Sequence, residues 1–110
     1  MQVAFVVEPE PTPPPVFHGS NPSNGASNVS PNVTPSANFD TALSETDSNA
    51  TLICDATSID GDSSIFLNNV LVFTPTDPLP YGATCTANYT AVGASGGSTQ
   101  VQVSFVVEDA

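Results

Sequence analysis

The stretch TCTANYTAV, residues 84–92, alternates between two kinds of residue at almost every position. Residues 85, 87, 89 and 91 are Cys, Ala, Tyr and Ala, whereas the residues between them are Thr or Asn. Successive side chains of a β-strand point to opposite faces of a sheet, so this period of two predicts a strand with one buried face. We therefore expect Cys85 and Tyr89 to lie in a hydrophobic core.

Similar segments lie on both sides of this strand. An all-β fold is expected, because no segment shows sustained helical periodicity, and turns rich in Gly, Pro and Asn separate the apolar segments. SIFLNNVLVF, residues 64–73, predicts two strands joined at Asn68-Asn69, since Asn tolerates positive φ. The other predicted strands have the following core-facing residues: Val33, Ala37 and Phe39; Leu52, Cys54 and Ala56; Val101, Val103, Phe105 and Val107. With a short strand after residue 16, about seven strands are expected, enough for a two-sheet sandwich.

The first ten residues, MQVAFVVEPE, resemble residues 101–110, VQVSFVVEDA. We predict three parts: an extra strand at residues 1–7, a Pro-rich polyproline II linker at residues 8–15, and a sandwich at residues 16–110. The extra strand would expose Met1, Val3, Phe5 and Val7, which is an aggregation hazard. We expect it to be buried against another copy, either in a tandem array or by strand donation in a head-to-tail polymer. The alternative is pairing within its own domain.

Cys54 and Cys85 are the only cysteines, and both lie in alternating segments. A disulfide between them is expected, with two buried free thiols as the alternative, and it would place the chain in an extracellular, oxidising compartment. Four Asn-x-Ser/Thr motifs permit N-glycosylation in a secreted protein. Their acceptors are Asn28, Asn32, Asn49 and Asn88.

The chain carries eleven acidic residues and neither Lys nor Arg, for a net charge of −11. Nucleic-acid binding is therefore not expected, since it requires cationic side chains, and no apolar run is long enough to span a membrane. We expect no cofactor except Ca²⁺, for which the sequence offers two candidate sites. Asp55, Asp60 and Asp62 supply the hard oxygen ligands that Ca²⁺ prefers, although an ordinary Asp-Gly-Asp turn is the simpler interpretation. A second candidate calcium site combines Glu8 and Glu10, or Glu108 and Asp109, with a neighbouring domain.

Nearly all of the segment from Val16 to Val107 also resembles a known family, the bacterial and archaeal Ig-like domains of S-layer and other surface proteins. The matching positions are Pro22, Gly25, Val29, Phe39, Phe73-Thr74-Pro75, Pro78-Leu79, Gly82, Tyr89, Gly96-Gly97 and Phe105. The resemblance implies a seven-stranded Ig-like β-sandwich used as a stalk, spacer or fibre module. The cysteines are not part of the family pattern.

A non-catalytic function is predicted from these features. His18 is the only histidine, and no nucleophile motif accompanies it. We expect a structural subunit or repeat of an extracellular, cell-surface filament whose partners are copies of the same chain. The alternative is an adhesin or carbohydrate-binding module, which the absence of Trp disfavours.

Overall fold

The computed structural model describes residues 14–94 and 96–110, and it contains nine β-strands there. They are β1 Phe17–Asn21, β2 Ala26–Val29, β3 Ser36–Phe39, β4 Asn49–Cys54, β5 Thr57–Ser58, β6 Gly61–Phe66, β7 Val70–Pro75, β8 Thr84–Val92 and β9 Ser98–Val107. The predicted extra strand at residues 1–7 and most of the predicted linker lie outside the described residues. No helix of the described part is both long and apolar enough to cross a membrane.

The strands form two sheets packed as a sandwich. One sheet has the order β1-β3-β7-β6, and the other has the order β2-β9-β8-β4-β5. All neighbours are antiparallel except β2 and β9, which are parallel. The predicted all-β sandwich is confirmed. The count exceeds seven because two short segments, β2 and β5, were not recognised as separate strands.

The core lies between the sheets and follows the predicted alternation. Cys85, Ala87, Tyr89 and Ala91 of β8 are all buried, whereas the residues between them are half-buried or exposed. The largest fully buried side chains of the described part include Tyr89, Phe39, Phe105, Leu52 and Leu71. They come from both sheets, so each inner face contributes to a single core.

The turn between β6 and β7 differs from the prediction by one residue. Positive φ angles occur at Leu67 (52°) and Asn68 (68°) rather than at Asn68 and Asn69. Asn69 instead donates a hydrogen bond from Nδ2 to the Phe39 carbonyl oxygen (3.0 Å), and its own carbonyl accepts from the Phe39 N–H. The turn is therefore fixed by contacts with the neighbouring strand β3, which local sequence does not reveal.

Pro15, which was predicted to end the linker, packs on the sandwich. It is buried, and its carbonyl oxygen accepts a hydrogen bond from Thr99 Oγ1 (2.5 Å). Proline lacks an N–H but keeps a full acceptor, so this contact satisfies its only polar backbone group. The packed part of the chain therefore begins at least one residue before position 16.

The Tyr89 hydroxyl is a buried polar group with no hydrogen-bond partner among the described residues. Burial raises the pKa of the Tyr89 phenol above its ordinary value. Because the folded state holds this proton while the unfolded state releases it above a pH of about 10, stability should fall as the pH rises past that value, by up to about 1.4 kcal/mol per pH unit.

We therefore expect Tyr89→Phe to stabilise the protein at pH 7 by about 1 kcal/mol, by removing an unpaired buried hydroxyl. The variant should also lose less stability between pH 9 and 11 than the parent protein. Urea unfolding across this pH range measures both effects. Tyr81→Phe is the matched control, since Tyr81 is 59% exposed, and an equal response of the two variants would contradict the prediction.

Candidate functional site

The two cysteines face each other on adjacent strands of the five-stranded sheet. Cys54 of β4 pairs directly with Cys85 of β8, their Cα atoms are 4.0 Å apart, and their sulfurs are bonded. Both residues are almost fully buried. A disulfide is typical of proteins outside the reducing cytoplasm, so the pairing favours a periplasmic or extracellular compartment. The narrower prediction of a cell-surface location stays a prediction.

The three aspartates predicted to bind Ca²⁺ do not form a site. Asp55 lies in the β4–β5 turn, where its Oδ1 accepts a hydrogen bond from the Thr84 N–H (3.1 Å). Asp60 and Asp62 lie at the start of β6 and are exposed. In residues 14–94 and 96–110, no three His, Cys, Asp or Glu side chains come together as metal ligands. The Asp-Gly-Asp segment leads into an edge strand instead.

The second predicted calcium site is described only in part. Glu8 and Glu10 lie outside the described residues. The backbone of Glu108 is held by its neighbours: its N–H donates to the Val29 carbonyl oxygen, and its carbonyl accepts from the Gly82 N–H, both at 2.9 Å. These backbone contacts account for the position of Glu108 without a metal ion.

The four predicted glycosylation sites differ in accessibility. Asn28 and Asn32 are exposed on loops or strand ends, and Asn28 adopts a positive φ of 55°. Asn49 is exposed, but its Oδ1 accepts a hydrogen bond from Ser63 Oγ (3.0 Å). Asn88 is half-buried in the middle of β8. Glycosylation stays a prediction, with Asn28 and Asn32 the most accessible acceptors.

His18 lies at an irregular point of an edge strand. The register between β1 and β3 shifts between Phe17 and Gly19, so His18 occupies a bulge, and its side chain is exposed. A carboxylate lies near this end of β1, since Asp40 Oδ1 accepts a hydrogen bond from the Val16 N–H (2.8 Å). The sequence predicts no catalytic role for His18, and an exposed imidazole is also a candidate metal ligand.

The sandwich also has an open side, where the edge of β6 approaches β4. Two depressions lie along it. One, of about 310 Å³, is lined by Glu45, Ser48, Ser64, Ile65 and Leu71 among others. The second, of about 600 Å³, is bordered by Asp60 and Asp62, and its lining includes Leu52 and Phe73. Apart from Asn49, Asp60 and Asp62, no predicted site residue of the described ranges lines this surface, because its position depends on the order of strands in the sheets.

Comparison with solved structures gives matches that cover most of the chain. PcoC from Escherichia coli, described as a methionine-rich copper resistance protein, is 20% identical with a TM-score of 0.76, and the match covers 86% of this chain and 99% of PcoC. CopC from Methylosinus trichosporium OB3b is 10% identical, with the same TM-score and 94% of its chain covered. At these identities the likeness shows the shared fold. Among curated protein sequences, none matches the chain.

These matches overturn the predicted function. The expectations of a filament subunit, with a donor strand or tandem repeat, and of an adhesin are wrong, because the matching structures are copper resistance proteins or CopC. The repeated sequence in residues 2–8 and 102–108 shows two segments suited to strands, but it does not show that one binds another copy. Association with copies of the chain and the absence of nucleic-acid binding stay predictions.

The expected cofactors are corrected by the same finding. The prediction of no cofactor, or of Ca²⁺ alone, is wrong, because matching structures are described as a copper resistance protein. These descriptions do not mention calcium.

The sequence family agrees with the fold. A family model for the bacterial Ig-like domain matches residues 11–107, which include all nine strands. The predicted Ig-like architecture is thereby confirmed, whereas the S-layer or fibre context is not shown. The chain belongs to the bacterial Ig-like domain family.

Proposed function

We propose that this chain is a non-catalytic, extracytoplasmic copper-handling domain that binds Cu²⁺ at an open site centred on His18. The observation that carries the proposal is the match of the sandwich to 99% of the copper resistance protein PcoC. The Cys54–Cys85 disulfide supports the oxidising compartment in which Cu²⁺, rather than Cu⁺, is the stable ion.

The side chains present fit one oxidation state of copper better than the other. Cu⁺ prefers thiolate and thioether ligands. Both cysteines are bonded to each other, and the one methionine, Met1, lies outside the described residues. Cu²⁺ accepts imidazole and carboxylate ligands, and His18 is an exposed imidazole. The donor set therefore fits Cu²⁺.

The residues around His18 could bind Cu²⁺ in an open site with few protein ligands. His18 would hold the ion through one imidazole nitrogen, and carboxylate oxygens suit the remaining positions. No closed cluster of metal ligands exists in the described ranges. The net charge of −11 attracts divalent cations to the whole surface and so raises their concentration near His18. Such a site would exchange its ion readily, as a metal buffer requires.

Titration with Cu²⁺, followed by electron paramagnetic resonance and calorimetry, tests the proposal. We expect one ion per chain, with the spectral signature of a single imidazole nitrogen. His18→Gln should weaken binding by at least about tenfold, which corresponds to about 1.4 kcal/mol. Unfolding curves should show that the variant remains folded, since His18 is exposed.

A relocated histidine provides the control. In His18→Gln combined with Asn38→His, the imidazole lies on the neighbouring strand, at an exposed position that pairs with Gly19. This double variant should bind Cu²⁺ no better than His18→Gln alone if the position of His18 matters. Equal binding by parent and His18→Gln proteins, or full recovery in the double variant, would overturn the proposed site.

A further inference from the structure

The sandwich has four edge strands in the described residues, and three of them have structural features that hinder pairing with another strand. β1 is bulged at His18. β2 is irregular between Ala26 and Val29, with Asn28 at positive φ, and β5 has only two residues. Bulges and short edges are common ways in which proteins block strand addition. The fourth edge, β6, has no such feature.

β6 is long and regular. Its six residues, Gly61–Phe66, pair with β7 without any shift of register, and four of them are exposed. It contains no Pro, and its one charged side chain is Asp62. No strand in residues 14–94 or 96–110 pairs with its other side.

The direction of its backbone groups follows from the contacts with β7. The Thr76 N–H donates to the Asp60 carbonyl oxygen (2.9 Å), and Gly61 lies opposite Pro75, which has no N–H to donate. In an antiparallel pair the bonded residues alternate. The N–H and C=O groups of Gly61, Ser63 and Ile65 therefore point away from β7, toward the open side of the sandwich.

The surroundings of this edge are concave and acidic. The two depressions of the open side lie along it, with Glu45 beside one and Asp60 and Asp62 beside the other. Their linings also include the apolar side chains of Leu71 and Phe73. A six-residue strand spans about 20 Å, so one extended segment could contact both depressions at once.

We propose that the β6 edge binds an extended, cationic segment of a partner protein by strand addition. Main-chain hydrogen bonds to Gly61, Ser63 and Ile65 would fix its register, and Lys or Arg side chains would meet Glu45, Asp60 and Asp62. A second copy of the chain is a poor occupant, because each copy has a net charge of −11 and no cationic side chain. The edge lies across the sheet from β1, so this proposal is independent of copper binding at His18.

The test uses the disulfide-bonded chain and a fluorescent octapeptide of alternating Lys and Val, at low salt. We expect saturable binding by fluorescence anisotropy. In ¹⁵N spectra, the amides of Gly61, Ser63 and Ile65 should shift and become protected from hydrogen exchange. The same peptide with alternate amides N-methylated keeps its charge but loses main-chain donors, and it should bind at least tenfold more weakly.

Two variants of one residue separate strand pairing from charge attraction. Ser63→Pro removes an outward N–H and should weaken peptide binding at least tenfold, whereas Ser63→Ala keeps the N–H and should bind as the parent protein does. The proposal is overturned if both peptides bind equally, if the shifted amides lie elsewhere, or if no peptide binds. Dimerisation of the chain through β6 at high salt would also overturn it, in favour of a second copy.

Discussion

Removal of the disulfide by Cys54→Ala together with Cys85→Ala is expected to lower the free energy of unfolding by about 3 to 4 kcal/mol. The bond joins residues 31 positions apart, and the loop that it closes contains β5, β6 and β7. It links adjacent strands of the five-stranded sheet, β4 and β8, and closes this loop in the unfolded chain as well. Urea unfolding of parent and variant at pH 7 measures the difference.

Reduction of the parent protein under the same conditions separates loop closure from packing. Cys54 and Cys85 are 1% and 0% exposed, so their replacement by Ala also removes buried sulfur atoms. The reduced parent should be less stable than the oxidised parent, and the double variant should be at least as unstable as the reduced parent. If added reductant left the unfolding curve of the parent unchanged although free-thiol assay showed two thiols, the disulfide would not be stabilising.

The architecture could be predicted from sequence wherever one face of a strand is buried. In β4 and β8 every second residue is buried, so the period of two appears directly in the sequence. Tyr89 and Phe105 could be assigned to the core on this basis alone. The disulfide partners were predictable for the simpler reason that the chain has two cysteines.

The remaining strands depend on contacts that are distant in sequence. β2 has no alternation, because it is a half-exposed edge that pairs in parallel with β9, about 80 residues later. The backbone at Leu67 is set partly by Asn69 and its contact with β3. Such features follow from the order of strands in a sheet, which a local pattern does not contain.

The candidate sites were harder to predict, because the most visible sequence features were the wrong ones. Acidic residues close together in sequence, such as Asp55 and Asp60, fall on different turns and do not converge. The two similar segments near the ends of the chain predict polymerisation, but similarity between two segments does not by itself define a binding surface. By contrast, β6 differs from the other edge strands in being regular and six residues long. Identifying it as an edge requires the order of all strands in both sheets.

Truncation of Phe105 to Ala is expected to lower the free energy of unfolding by about 3 to 5 kcal/mol, an effect at least as large as loss of the disulfide. Phe105 is 1% exposed and lies in β9, which is hydrogen-bonded to β8 on one side and to β2 on the other. In the antiparallel pairing of β8 with β9, Phe105 lies opposite Cys85. The loss combines the transfer of a large apolar side chain with the cavity that it leaves beneath the disulfide.

The adjacent residue supplies a control on the same strand. Val106 points to the opposite face and is 38% exposed, so Val106→Ala should cost less than about 1.5 kcal/mol. Chemical denaturation of the two variants, with the disulfide intact in both, compares a buried with a partly exposed position at nearly identical backbone geometry. Equal losses would mean that the inner face of β9 does not carry the core, and the assignment of Phe105 to the centre of the sandwich would then be incorrect.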